Sequence, residues 1–121
     1  AGNTVRRGSI IVSRDDNEVT QLEGLQTQSI KERLGGLLVL APLQINQALW
    51  ITPCNSVHTF GMQYALDLVY IDKYNKVRDL VANVKPWRTS FCLQAKAVME
   101  LTAGSLQSLN IQRGDSCKWQ D

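Results

Sequence analysis

Short β-branched and alternating apolar runs, separated by turn residues, recur at fairly regular spacing along this chain, and they predict strands. Ser9 to Ser13 (SIIVS) is the first. Asp15-Asp16-Asn17 marks a turn, and Glu18 to Leu22 alternates weakly as a returning hairpin arm. Leu37 to Leu40 and Ala48 to Ile51 are apolar segments around Pro42 and Asn46. Leu66 to Asp72 (LDLVYID) is apolar except for Asp67 and Asp72, the pattern of a buried central strand. Asp72 to Lys76 (DKYNK) reads as a hairpin turn, with Val77 to Val84 as the partner strand. Lys96 to Leu101 (KAVMEL) is a further strand, and Arg113-Gly114-Asp115 turns into a last one, Ser116 to Trp119.

Two segments predict helices. Ser29 and Glu32 have the spacing of a capping box, Ile30 and Leu34 fall on one face, and Gly35-Gly36 ends the helix. Thr102 to Asn110 reads as a second short helix, capped by Thr102, although Gly104 weakens it by about 1 kcal/mol relative to alanine. The expected fold is therefore mainly β with some α+β character: a small barrel or two-sheet sandwich of six to eight short strands with two short helices. No long helices separate the strands, which argues against a parallel βαβ sheet. One domain over residues 1–121 is expected, with residues 1–8 as a flexible N-terminal end and Arg6-Arg7 solvated within it.

Composition narrows the function only a little. A chain of 121 residues can bury roughly two-thirds of its unfolded surface, enough for one core without staples. The net charge of +2 is too mild to imply nucleic acid or an anionic membrane, and no apolar run approaches the roughly 20 residues that span a bilayer. No basic-then-apolar signal segment is visible, and the chain begins at Ala1 rather than Met, which fits a processed or trimmed N-terminus. Cys54, Cys92 and Cys117 are an odd number at wide spacing, with no CxxC. That favours a reducing compartment and a cytoplasmic location over a disulfide framework.

Candidate chemistry concentrates in Trp50 to Asp72, WITPCNSVHTFGMQYALDLVYID. It holds the one histidine, His58, together with Cys54, Ser56, Thr59 and Asp67, among Trp50, Phe60, Met62 and Tyr64. Gly61 in its middle suggests a bulge or a close backbone approach. The preferred reading is a ligand pocket whose polar groups come from Ser56, His58, Thr59 and Asp67, with Trp50, Phe60 and Met62 as walls. Asp67, in an apolar strand, must be paired or hydrogen-bonded, and it serves either the ligand or the strand geometry.

A catalytic Cys54–His58 pair is the alternative, because a thiol needs a base or cation to become a reactive thiolate. Residues four apart on an extended strand sit about 13 Å apart, so the pair meets only if Asn55-Ser56 turns. A zinc site from Cys54, His58 and Asp67 with Cys92 or Cys117 lacks any paired ligand spacing, so no metal and no cofactor are expected. Trp87 between Lys85 and Arg88 could stack on nucleic acid, but the cluster is isolated, and Pro86-Trp87 is expected to anchor a loop onto the core. The expected partner is a small molecule or a protein, with neither nucleic acid nor membrane.

The string PCNSVHTFGM (Pro53 to Met62), followed by Asp67 and the strand end VYID, resembles the uncharacterised prokaryotic family called domain of unknown function 192. RLGGLL (Arg33 to Leu38), KPWR (Lys85 to Arg88) and the AVMELTAG…LNIQRGD run (Ala97 to Asp115) resemble it too, so the likeness covers roughly residues 30 to 119. Gln63, Tyr64 and Ala65 depart from it: the family usually has an Arg or Lys and a Phe-Pro pair there. The resemblance implies a compact, mainly β fold with small helices. It implies no established activity, which leaves a binding or interaction module as the first expectation and a Cys/His-dependent or metal-dependent enzyme as the second.

Overall fold

A computed structural model describes residues 5–27 and 42–121. Among them are nine strands and one helix: β1 (Val5–Arg14), β2 (Asn17–Thr27), β3 (Gln47–Ile51), β4 (Ser56–His58), β5 (Leu66–Ile71), β6 (Val77–Val84), β7 (Thr89–Phe91), β8 (Ala97–Thr102), α1 (Ser105–Leu109) and β9 (Ser116–Gln120). The expected helix at 29–34 and the apolar segment at 37–40 lie outside the described residues.

Seven strands form one mixed sheet in the order β6-β5-β8-β3-β2-β1-β9, and β4 and β7 form a separate antiparallel pair. The one parallel neighbour pair among them is β2 with β3. Asp15 and Asp16 take φ of 52° and 63°, as a two-residue hairpin turn between right-twisted strands demands. The large sheet curls until its two edge strands touch. Lys76 bridges to Ser116, and the Cys117 amide donates to the Asn75 carbonyl at 2.8 Å. β6 and β9 are the two edges of the sheet and do not pair as strands, so it is not a closed barrel. The expected mainly β two-sheet character is present, with nine described strands rather than six to eight.

Alternation along the central strands sorts their side chains onto two faces. Val69 and Ile71 of β5 and Met99 and Leu101 of β8 join Ile10, Leu22, Trp50 and Cys117 inside the curl, where Leu106 of α1 covers them. Burial pushes the Cys117 thiol up to about 12. Leu68, Tyr70 and Val98 point the other way, where they pack with Val57 of β4 and Cys92 beyond β7. The Tyr70 hydroxyl donates to Ser90 Oγ at 2.7 Å and so ties the small pair to the large sheet. Burial is the main cause that raises the Tyr70 phenol, against the opposing effect of its hydrogen bond with Ser90.

The β1–β2 hairpin adds two details, the first of which departs from the sequence reading. Residues 5–8, expected within the flexible end, belong to β1, and Arg7 pairs with Glu23 and Arg6 with Asp121. Gly8 and Gly24 face one another across the hairpin because the Trp119 ring lies over them; a Cβ on Gly24 would stand 2.4 Å from that ring.

Candidate functional site

The fold places the six residues expected to bind ligand in different surroundings. Trp50 faces the inside of the curl, its ring 6.2 Å from Trp119. Met62 packs with Leu43, Leu49, Ile51 and Leu66 on the opposite side.

Asp67 is fully buried, and its carboxylate is spent on backbone. β6 carries a register irregularity opposite Asp67, and the Asn83 amide released there donates to Oδ1 at 2.8 Å. The amides of Gly104 and Leu106, at the start of α1, both donate to Oδ2 at 3.0 Å. Helix α1 begins at Gly104 with no side-chain cap of its own, so a carboxylate from another strand satisfies donors that a helix start leaves open. The expected Thr102 cap is not made; Thr102 Oγ1 instead shares a 2.7 Å hydrogen bond with Ser105 Oγ.

Thr59 is equally committed. Its Oγ1 donates to the Lys85 carbonyl at 2.7 Å and accepts the Arg88 amide at 2.9 Å, while its carbonyl accepts the Trp87 amide at 3.1 Å. These bonds fix the 85–88 turn with Trp87 at φ 64°, an uncommon conformation for a bulky residue. Trp87 is 65% exposed, so it does not anchor the loop in the core as expected. It belongs to an outer ridge: His58 lies 4.9 Å from Phe60, and Phe60 5.7 Å from Trp87. Gly61, the turn beside Phe60, has φ 81° and nothing near its missing Cβ, so it serves the turn and not a close approach.

Cys54 and His58 engage different neighbours. The Cys54 thiol donates to the Ser56 carbonyl at 3.0 Å, whereas the His58 ring packs on Phe60. Ser56 and His58 both stand exposed on the outer side of β4. The three cysteines are free thiols, and no group of three potential metal ligands occurs among the described residues.

What Cys54 does reach is an open cleft of about 700 Å³, lined by Pro53, Cys54, Asn55, Asp72, Lys73, Tyr74, Arg78, Gln94, Ala95 and Lys96. Three turns meet there. The 52–55 turn follows a cis Thr52-Pro53 bond and is pinned where the Cys54 amide donates to the Lys96 carbonyl at 2.8 Å. The 92–96 connection is pinned by the Cys92 amide on the Asn55 carbonyl at 2.9 Å and the Lys96 amide on the Ile71 carbonyl at 2.7 Å. In the β5–β6 hairpin, Asp72 Oδ1 accepts the amides of Tyr74 and Lys76 at 2.9 and 3.1 Å. Antiparallel pairing of β5 with β8 sets Ile71 beside Ala97, and therefore the end of one strand, with its Asp72-Lys73, beside Lys96 at the start of the other. None of the six expected ligand residues lines this cleft; of the residues singled out in the 50–72 stretch, Cys54 and Asp72 do.

The fold defines a small mainly β protein with one large mixed sheet, one small strand pair and an open, cation-lined cleft where three turns meet. The profile of the family named Uncharacterized ACR, domain of unknown function 192, matches residues 10–119, and the chain belongs to that family. A UPF0127 protein of Thermococcus sibiricus is 33% identical over 92 residues, which are 69% of this chain and 57% of that protein; the chain thus spans little more than half of its curated relative. A crystal structure of a protein of unknown function from Novosphingobium aromaticivorans superposes with a TM-score of 0.79 at 16% identity, covering 98% of this chain and 94% of that one. A Sinorhizobium meliloti crystal structure, provisionally described as a transcription regulator, gives 0.81 at 13% identity over 96% and 95% of the two chains. At those identities the likeness is one of fold alone.

Proposed function

We propose that this chain is a binding module that seats a small molecule in the cleft between the 52–55 turn, the β5–β6 hairpin and the 92–96 connection. The observation that carries this reading is a difference in what the fold has used. Asp67 and Thr59 are fully buried and bound to backbone groups. Asn55, Gln94, Arg78 and Lys96 line a concavity beside the largely exposed Tyr74 ring, and the side-chain nitrogens of these four donate to no described protein group. An aromatic wall with a few convergent polar groups is the ordinary composition of a ligand site. The Cys54 thiol donates to the Ser56 carbonyl and His58 packs on Phe60 instead of on the thiol, which fits Cys54 as a wall of the cleft better than as half of a nucleophile-base pair.

A thermal-shift screen of metabolites tests the proposal, since a ligand that binds only the native state raises the melting temperature by mass action. Gln94→Trp fills the cleft from an exposed position. Hits are expected to lose their shift in this variant. Shifts that persist undiminished place the ligand elsewhere, and that outcome ends the proposal.

A further inference from the structure

We infer that the ligand of the cleft is a small oxyanion, a carboxylate or phosphate group on a metabolite-sized molecule, ion-paired by Arg78 and Lys96. The inference rests on the reading of the cleft as the binding site. Three cations, Lys73, Arg78 and Lys96, line it against one carboxylate, Asp72. That carboxylate has a structural task, because Oδ1 accepts two amides of its own hairpin. Residues 52–66 and 85–96, which supply the other two walls, contain neither Asp nor Glu, and Asp79, next to Arg78 on the hairpin strand, is ion-paired with Arg113.

The cations are also uncommitted. The ion pairs among the described residues join Arg6 to Asp121, Arg7 to Glu23, Arg14 to Asp115 and Arg113 to Asp79, and none involves a cation of the cleft. Lys73 lies with Nζ 5.3 Å from the centre of the Tyr74 ring, which leaves Arg78 and Lys96 as the freest pair. Unpaired lysines on a convex surface are solvated and mean little. In a concavity, low-dielectric walls focus the field of like charges and raise the local concentration of an opposite one. The guanidinium adds direction, because its planar fork matches two oxygens of a carboxylate or a phosphate. Asn55 and Gln94 can donate from their amides to oxygens the cations leave open.

Titration calorimetry and thermal shift on the intact chain test this with inorganic phosphate and succinate as anions, and glycerol and succinamide as neutral counterparts. At least one anion is expected to bind while its neutral counterpart does not, and its affinity falls as sodium chloride rises. Whichever anion binds identifies the oxyanion type. Arg78→Gln with Lys96→Gln is expected to weaken that anion at least tenfold. Lys85→Gln with Arg88→Gln, which removes two cations outside the cleft, leaves it unchanged. Equal binding by the Arg78/Lys96 double variant overturns the inference, as does loss of binding in the Lys85/Arg88 one, or no response to either anion. Neutral compounds that bind and are displaced by Gln94→Trp overturn the oxyanion while sparing the cleft. If no compound of any charge binds, both fall.

Discussion

The stretch around Thr59 and Asp67 and the cleft beside Cys54 are both rich in polar groups, yet the fold treats them oppositely. Asp67 receives three backbone amides, and Thr59 ties down the turn that presents Trp87. Both side chains are fully buried and committed to backbone partners, out of a ligand's reach. In the cleft the arrangement reverses: backbone amides and carbonyls hold the three turns, and the side chains of Arg78 and Lys96 are left unpaired. A buried polar group must be satisfied to be tolerated at all. Burial of a polar side chain is therefore a mark of architecture, and an unsatisfied polar side chain in a concavity is the better mark of a site.

The comparison breaks most visibly at Asp67. Asp67→Ala leaves three amides without their acceptor, and the loss expected in urea denaturation is on the order of 3 kcal/mol, with α1 detached first. Any anion response that survives in the folded fraction should keep its affinity. A loss of affinity without loss of stability would move Asp67 into the site and reverse the comparison. Thr59→Val is the milder version. It removes one donor and one acceptor from the 85–88 turn and should cost about 1–2 kcal/mol. Trp87 emission should change because the turn relaxes, again with no change in ligand affinity.

A committed carboxylate that lines neither region provides a pH-dependent control. Burial pushes Asp115 up, but the hydrogen bond from Arg14, the Gln112 amide and the charges of Arg14 and Lys76 outweigh it, and the carboxyl titrates below its usual range. Arg14 Nε donates to Asp115 Oδ1 at 2.7 Å. A folded-state value below the unfolded one gives stability that is present above the unfolded pKa, about 3.9, and is lost as pH falls through the folded value. Acid unfolding followed by circular dichroism should therefore steepen below about pH 4 in the wild type. In Arg14→Gln that limb should be shallower. It should not vanish, because Asp79 is also held low, chiefly by its hydrogen bond from Arg113. An unchanged limb would show that the pair carries no linkage.

Most of the framework was legible because local chemistry fixed it. SIIVS, LDLVYID and VRDLVANV formed strands, and Asp15-Asp16 and the DKYNK turn formed the hairpins their residues favour. The strands β4 and β7 were missed because each is three residues long and only its middle residue turns inward, too little to register as alternation. Asp67 was seen to need a partner. Which partner was hidden in a helix start 37 residues downstream. The cleft was hidden for the same reason. Lys73, Arg78 and Lys96 are unremarkable in sequence, and only the pairing of Ile71 with Ala97 brings the end of β5 beside Lys96. His58 misled in the other direction: a lone histidine draws attention by its chemistry, and here its ring packs on Phe60 at the surface.

The smallest expected effect is the one that sharpens the comparison most. If the cleft's cations are left over from folding, removing them should cost the fold almost nothing. Arg78 and Lys96 are exposed and take part in none of the four ion pairs among the described residues, so the double glutamine variant should unfold within about 0.5 kcal/mol of the wild type. Relief of repulsion between like charges can even make it slightly more stable at low salt, a gain that should fade as salt screens the cations. Urea midpoints at low and high sodium chloride measure both terms. A loss of 2 kcal/mol or more, far outside what solvated surface charges contribute, would mean that these side chains hold the three turns together after all. The cleft would then belong with Asp67 and Thr59 as architecture, and the distinction between used and unused polar groups would no longer pick out a site in this protein.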